Sequence, residues 1–515
     1  MGHPRALIAT IVALLAAWPL RDALWTGDLP GAGPDVVSTV WGMWWFGHSW
    51  LGEAWGGWTP LVNSPYGAIG SVLSPSSAML WWLFAPLGPG RATALCGWTV
   101  LVGLSASCAW LAKRAGAQRY MVAALVPLVG HHLLYGLGEG SVVAIAFLPL
   151  PLGLAALLGH RARDAVLLTL CIAWMALENP YLAPVLPACT LLALAWRARQ
   201  GEGLSAARTL LPALLLGCVG VLASAALFGR SAAPDYPREV AGTMMLGLRV
   251  VDMDWAATWP WEWVWPGGLR WTLDAESARD ATGGGFIGIS ALVLAAFSRR
   301  WRWLALAFAG LWLGLGSRGL GFLALNTLME AVARPLTQPV RFLSLAIVGL
   351  SVAAALGADR IKQPVWVLLA LESLLWGGAS LKLPTTPMPQ GDCAELAGFE
   401  GGVLVWPTDA ALQEPSRAQL LQMAHGLPSP HRGIASWRLH KGPVIEELRF
   451  HGFAWPPSGQ GPDVQHLVDQ GYRTVISEEA HEVAEAWFGD PNLECGDRKV
   501  FLVRVKPRRG KNAPP

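Results

Sequence analysis

Two acidic residues near the N-terminus, Asp28 and Asp35, have the side-chain type and placement for chemistry on a hydroxyl group. They lie in a segment, 22–70, that contains no Lys or Arg. The apolar spacing that follows predicts a helix over 36–50, with Asp35 at its start. A carboxylate there could act as a base for an acceptor hydroxyl, or it could cap free backbone N–H groups. The two roles are compatible, and Asp28 and Asp22 are weaker candidates for the base.

A second pair of carboxylates, Asp252 and Asp254, forms an Asp-Met-Asp tripeptide. On an extended segment both side chains point the same way, which suits Mg²⁺ or Mn²⁺ bridging diphosphate oxygens. A solvated turn is the alternative, because the tripeptide is common. The Trp-rich run over 255–271 could stack on sugar rings or form a belt in the membrane interface.

Three further polar residues stand within or beside apolar runs, where polar groups are costly. His131 lies in one such run, and Glu178 lies at a turn where it could face the same cavity as Asp35. A helix cap or an interhelical hydrogen bond is the alternative for both. Arg341 lies at the outer start of another run, and its guanidinium suits a lipid phosphate or a salt bridge. Arg318 and Arg334 are the alternative phosphate ligands.

The amino-acid composition indicates the kind of structure that must position these residues. The 515 residues are 53% hydrophobic and 14% charged, and they include 29 Trp but 6 Tyr. Soluble proteins carry roughly 25% charged residues, so most of this chain must lie in lipid. The net charge of +3 and the lack of a long basic run argue against nucleic-acid binding. These features predict a polytopic membrane protein.

Apolar runs predict about 11 spans, with a range of 11 to 13. The first run could pass for a signal peptide, but no small-residue cleavage site follows it, which favours an uncleaved anchor. The runs at 72–88 and 319–333 are doubtful because prolines or polar residues interrupt them. The others are 6–20, 92–112, 119–137, 141–159, 164–178, 181–197, 208–229, 284–298, 301–316, 338–357 and 364–381.

Basic residues decide the expected orientation. If 72–88 and 319–333 dip in without crossing, all the basic clusters fall on one side. The N-terminus is then cytoplasmic, and outer loops 22–70 and 230–283 share the other face with a C-terminal domain. The clusters are 113–119, 160–163, 197–208, 299–302 and 360–362.

The C-terminal region reads as a small soluble α/β domain over 392–508, after a Pro-rich linker at 382–391 and before a disordered tail at 509–515. Residues 1–381 form the expected all-α membrane domain. Strands are predicted at 402–406, 472–476 and 500–505, with helices near 411–425, 462–470 and 478–488. Outside the cytoplasm, Cys393 and Cys495 could form a disulfide; two unpaired thiols are the alternative.

The order of features resembles the polytopic membrane glycosyltransferases of the GT-C fold. The resemblance covers nearly the full length and rests on short motifs that follow the acidic first loop and its Trp-rich helix. The motifs are Asn63–Gly67, Gly130-His131, the run GGGFIG at 283–288, Leu315-Gly316, Pro339-x-Arg341-Phe342, Leu404-x-x-Pro407 and His425–Pro428.

The resemblance implies transfer of a sugar from a polyprenyl-phosphate donor to an envelope glycan, lipid or protein on the outer face. Asp35 would then be the catalytic acid residue of the first loop. A non-catalytic scaffold of envelope polysaccharide assembly is the second hypothesis, and a transporter or flippase is the third. The absence of an organelle signal and the Gly-, Ala-, Leu- and Trp-rich composition fit a bacterial inner membrane.

Overall fold

The computed structural model describes most of the chain and divides it into two compact units. The helical unit comprises Met1–Thr39, Val72–Arg230 and Asp235–Thr386, and the tail unit comprises Val40–Ser71, Ser231–Pro234 and Pro387–Pro515. The described residues are 3–31, 34–49, 58–59, 68–69, 75–138, 148–178, 182–229, 260–265, 285–316, 319, 339–361, 363–388, 393–406, 414–429, 448, 453, 462–477 and 481–503.

The described part of the helical unit is built almost entirely of helices, as its composition predicts. A short antiparallel pair joins β1 (Leu29–Pro30) to β4 (Thr385–Thr386). The helices are α1 (His3–Ala17), α2 (Arg21–Thr26), α3 (Pro34–Ser49, within which the two units divide), α4 (Pro75–Phe84), α5 (Pro89–Arg114), α6 (Val126–Val129), α7 (His132–Gly138), α8 (Pro149–Leu157), α9 (Ala162–Glu178), α10 (Val185–Arg199), α11 (Gly203–Gly229), α12 (Ile289–Ala296), α13 (Trp301–Gly314), α14 (Leu343–Ala358) and α15 (Trp366–Leu375).

Among the described residues, two stretches of helix, Arg5–Thr26 and Pro89–Arg114, are long and apolar enough to cross a bilayer. Shorter apolar helices are Ser76–Leu87, Tyr120–Val129, Ala207–Gly220, Leu343–Ala358 and Trp366–Ser380. The figure of about 11 spans therefore stays a prediction. The doubtful run at 319–333 lies outside the described residues, apart from Gly319.

Contacts join each of the five basic clusters to the next in a closed ring. All five clusters therefore lie at one end of the helical unit. The contacts are Arg114 with the carboxylate of Asp164, Arg197 with the carbonyls of Leu157 and Gly159, Arg302 with the ring of Trp196, Arg360 with the carbonyl of Phe297, and the backbone N–H of Arg119 with the carboxylate of Asp359. We refer to this end as the basic end and to the other as the opposite end.

Helix α4 lies beside the first turns of α5, at the opposite end. The indole N–H of Trp81 donates to Thr93 Oγ1 at 2.9 Å, and the N–H of Ser76 donates to the carboxylate that ends α9 at 2.8 Å. Ten residues of helix extend about 15 Å, half of a bilayer core of about 30 Å. The described helix alone is therefore shorter than a bilayer core, and the expectation that 72–88 dips in without crossing stays a prediction.

Helix α14 is the central helix of the unit, because all of its residues except Leu356 are buried. Its small residues allow close backbone approach. A Cβ at Gly310 of α13 would lie 2.8 Å from the carbonyl of Phe342, and one at Gly349 would lie 2.7 Å from the N–H of Ala307. Helices α13 and α14 therefore pack backbone to backbone.

The tail unit contains a mixed four-stranded sheet in the order β5-β6-β8-β7. Strand β5 (Gly402–Trp406) is parallel to β6 (Tyr472–Ser477), while β7 (Leu493–Cys495) and β8 (Arg498–Leu502) add antiparallel. The three strands predicted from the sequence are present, whereas β7 was not predicted. Helices α16 (Glu414–His425), α17 (Val464–Asp469) and α18 (His481–Phe488) match the predicted helical stretches within three residues.

A disulfide joins Cys393 to Cys495, with the Cα atoms 5.2 Å apart. The two cysteines are buried in one apolar cluster with Val403, Val405 and Ile476. The bond therefore ties the start of the tail unit to the last hairpin of its sheet.

One boundary differs from the sequence-based division, which placed all of 22–70 in the membrane domain. Val40–Ser71 belongs to the tail unit, together with a short pair of strands, β2 (Trp58–Thr59) and β3 (Ala68–Ile69). Within this unit, the indole N–H of Trp41 donates to Gln422 Oε1 of α16 in a buried contact at 2.9 Å. Trp41 also stacks on Trp45, with ring centroids 6.1 Å apart.

Candidate functional site

The segment that carries the first-loop acids is clamped at the opposite end of the helical unit. A Cβ at Gly90, in the first turn of α5, would overlap the carbonyls of Gly27 and Asp28, so only glycine permits this approach. On the other side, the N–H of Gly31 donates to the Pro384 carbonyl at 2.7 Å. Asp28 is half-buried, and its N–H donates to Thr26 Oγ1 at 3.1 Å. The backbone leading to α3 is therefore fixed on two sides.

Asp35 is the second residue of α3, which begins at Pro34. The sequence placed the helix start two residues later and offered an N-cap role for Asp35. Asp35 stands in the first turn of the helix, and a carboxylate in the first turn interacts favourably with the helix dipole. The carboxylate itself lies outside the described part of the structure. The structure thus locates the backbone of Asp35, and its catalytic role remains a prediction.

Arg341 also lies at the opposite end. It belongs to a 3₁₀ turn, Pro339–Phe342, that leads into α14, and α14 runs about 24 Å from there to Asp359 at the basic end. Its carbonyl accepts the hydroxyl of Ser344 at 2.8 Å. The guanidinium is half-buried and interacts electrostatically with the imidazole of His132. Arg341 and the Asp28 segment therefore share one end of the unit.

His131 has a structural position at a break between two helices. Helix α6 ends at Val129 and α7 begins at His132, and Gly130 between them is extended. His131 Nε2 contacts the Trp376 carbonyl at 2.9 Å, and its N–H donates to the Phe286 carbonyl at 2.9 Å. A carbonyl can only accept, so Nε2 carries the proton and does not present a lone pair to a metal. The interhelical hydrogen bond, the alternative given by the sequence, is what the structure contains.

Glu178 likewise bonds to a neighbouring helix. Its Oε1 accepts the N–H of Ser76 at 2.8 Å and the indole N–H of Trp174 at 3.3 Å, and the side chain is buried. Ser76 is the second residue of α4, so the carboxylate caps that helix from outside. These bonds correspond to the helix-cap alternative for this residue.

Sequence reasoning missed another buried carboxylate, Glu372 of α15. Its two oxygens accept the N–H groups of Ile289 and Ser290 at 2.6 and 2.9 Å, which caps the N-terminus of α12. The adjacent Ser373 donates its hydroxyl to the Leu128 carbonyl at 2.8 Å. The sequence feature that could have predicted it is a Glu inside the apolar run 364–381, because carboxylates within such runs almost always have a partner.

Four residues named from the sequence lie outside the described residues: Asp252, Asp254, Arg318 and Arg334. The part of the chain that the structure describes contains no group of three or more His, Cys, Asp or Glu that could hold a metal ion. Mg²⁺ or Mn²⁺ therefore remains a prediction that rests on Asp252 and Asp254.

Comparison with solved structures shows a likeness of fold. The chain superposes on the mycobacterial arabinofuranosyltransferase AftD with a TM-score of 0.52 and 16% identity, over 98% of this chain and 40% of AftD. A structure of an AftD variant gives 0.47 and 15%, over 92% and 36%. ArnT from Cupriavidus metallidurans, bound to undecaprenyl phosphate, gives 0.41 and 13%, over 98% and 99%. No protein-family model and no curated protein matches the sequence.

The first of these comparisons shows that the chain has the fold of a GT-C membrane glycosyltransferase. The chain spans about two fifths of the length of AftD. At this level of identity the likeness concerns the fold, and the activity must be argued from the residues of this chain.

Proposed function

We propose that this protein is a membrane glycosyltransferase that moves a sugar from a polyprenyl-phosphate donor to an envelope glycan, lipid or protein acceptor. The observation that carries the proposal is the GT-C fold, found over 98% of the chain. The common location of the Asp28 segment and Arg341 at the opposite end of the helical unit supports it, because a base and a phosphate ligand must address one substrate.

The proposed reaction is a single displacement at the anomeric carbon. Asp35 takes the proton of the acceptor hydroxyl as that oxygen bonds to the anomeric carbon. The bond from this carbon to the donor phosphate breaks at the same time, and Arg341 binds the polyprenyl phosphate that leaves. Mg²⁺ or Mn²⁺ held by Asp252 and Asp254 belongs to the proposal as an optional cofactor. Activity that is retained in the presence of a metal chelator would exclude the metal ion from the proposed reaction.

The test compares Asp35→Asn with Asp22→Asn in proteoliposomes. Asp22 lies in the same acidic region, but its carboxylate pairs with Lys382 at 3.1 Å and is partly exposed. A polyprenyl-phosphate-linked arabinofuranose is the first donor to try, because AftD is an arabinofuranosyltransferase. We expect D35N to lose at least about a hundredfold in transfer, as typical of a lost general base, and D22N to keep the wild-type rate.

Transfer at the wild-type rate by folded D35N would eliminate Asp35 as the base. Arg341→Ala should raise the KM for the donor, because it removes a phosphate contact made before and during transfer. If the wild-type protein transfers none of a panel of lipid-linked sugars, the scaffold hypothesis becomes the leading one. A partner recovered with the full-length protein from membranes would then identify the assembly.

A further inference from the structure

Two cationic side chains converge on one aromatic ring at the basic end. Arg5 Cζ lies 5.3 Å and Lys113 Nζ lies 5.4 Å from the centroid of Tyr120. The three residues come from α1, the last turn of α5 and the 3₁₀ turn Tyr120–Ala124. Helices α1 and α5 are antiparallel neighbours, held by the indole N–H of Trp98 on the Ala13 carbonyl at 2.9 Å. The convergence therefore follows from the packing of these helices.

These two charges differ from Arg114 and Arg197, two other cations of the basic end. Arg114 pairs with Asp164 at 3.0 Å, and Arg197 donates to two backbone carbonyls. Arg5 and Lys113 are exposed, and neither has an ion pair among the described residues. The carboxylate of the neighbouring Asp359 is occupied by the backbone N–H groups of residues 118 and 119. The site thus offers two positive charges and an aromatic ring to an anion.

An apolar face leads directly to this pair. Val102, Ala106, Trp110 and Lys113 follow one another at helical spacing on α5, and Ala106 and Lys113 are exposed while Val102 and Trp110 are half-buried. The segment from Val102 to Lys113 extends about 16 Å, which is comparable to a fatty acyl chain. A pair of cationic side chains at the end of an apolar face has the shape and polarity of a binding site for a phospholipid with an anionic headgroup.

We propose that Arg5, Lys113 and Tyr120 form a binding site for one anionic glycerophospholipid. The phosphodiester lies between the guanidinium and the ammonium groups beside the Tyr120 ring, and an acyl chain lies along the α5 face. The site is at the end of the helical unit opposite the Asp28 segment, so it is separate from the proposed transfer site. It does not depend on the protein being a transferase.

Native mass spectrometry of the full-length protein in detergent tests the site, with phosphatidylglycerol and phosphatidylcholine of equal chain length as probes. Each basic side chain near a membrane surface contributes about 1 kcal/mol, or about fivefold, so we expect the two together to give a preference of about 30-fold, or about 2 kcal/mol, for the anionic lipid. The R5Q/K113Q variant should lose this preference. The control R199Q/R208Q removes two exposed charges of the same end and should keep it.

Several results would overturn the proposal. One is equal binding of the two lipids by the wild-type protein, and another is an unchanged preference in R5Q/K113Q. A third is displacement of the lipid by free glycerol phosphate at similar concentration, which would identify a soluble anion as the ligand. If R5Q/K113Q aggregates, the single variants R5Q and K113Q provide the same test, because each removes one of the two charges and should lower the preference about fivefold.

Discussion

Replacing Glu372 by Gln tests whether buried carboxylates hold the helix breaks of this unit together. Gln has the same shape but one acceptor oxygen, so either Ile289 or Ser290 loses its acceptor and faces an NH₂ group. Loss of a hydrogen bond to a charged group costs about 1.5–3 kcal/mol. The lost interaction with the α12 dipole adds to this cost, and relief of carboxylate desolvation offsets it. We expect a net loss of about 2 kcal/mol.

The measurement is amide hydrogen exchange over 286–292 in detergent, together with the thermal midpoint. A loss of about 2 kcal/mol corresponds to about 30-fold faster exchange of the α12 amides when opening is local. The matched control is Glu202→Gln, which makes the same change of charge at an exposed residue and should leave both readouts unchanged. Unchanged exchange and an unchanged midpoint in E372Q would refute the reasoning, since the cap would then contribute nothing.

Three further predictions concern stability. The double variant C393S/C495S should lower the stability of the tail unit by up to about 4–5 kcal/mol, because the bond closes a sequence separation of 102; urea unfolding with and without reductant measures it. Burial lowers the pKa of the His425 imidazole to about 4 in the folded protein, against 6.5 in the unfolded chain. Between pH 4 and pH 6.5, therefore, only the unfolded state binds the proton. The free energy of unfolding should therefore fall by about 3 kcal/mol from pH 6.5 to 4 and then level, and H425Q should remove this dependence in pH-dependent melts. Gly310→Ala should lower the thermal midpoint, because its Cβ would lie 2.8 Å from the Phe342 carbonyl; an unchanged midpoint would contradict the backbone packing of α13 on α14.

The sequence predicted the features that depend on local pattern or on composition. The strands at 402–406 and 472–476 were visible because alternating or continuous apolar residues lie between turn signals. The common end of the basic clusters followed from the loop distribution of Arg and Lys, and the contacts between Arg114 and Asp164 and between Arg119 and Asp359 agree with it. Strand β7 was missed because three residues, Leu493–Cys495, are too few to show a period.

The features that the sequence could not predict depend on partners far apart in the chain. Glu178 bonds to a residue 102 positions away, and Glu372 bonds to residues 82 and 83 positions away. Within the tail unit, which includes 40–71, Trp41 bonds to Gln422, and these residues are 381 positions apart. Periodicity and capping rules describe single helices, so they carry no information about which helix end a side chain meets in the folded unit.

The two buried glutamates also indicate how intramembrane carboxylates should be interpreted in this fold. Each accepts at least one backbone N–H group at the start of another helix. A carboxylate in that position is engaged and poorly placed to take a proton from a substrate. Asp35 differs, because it stands in the first turn of its own helix, beyond the clamped segment at Asp28. That difference in backbone position, rather than burial or charge alone, makes Asp35 the first residue to test for catalysis.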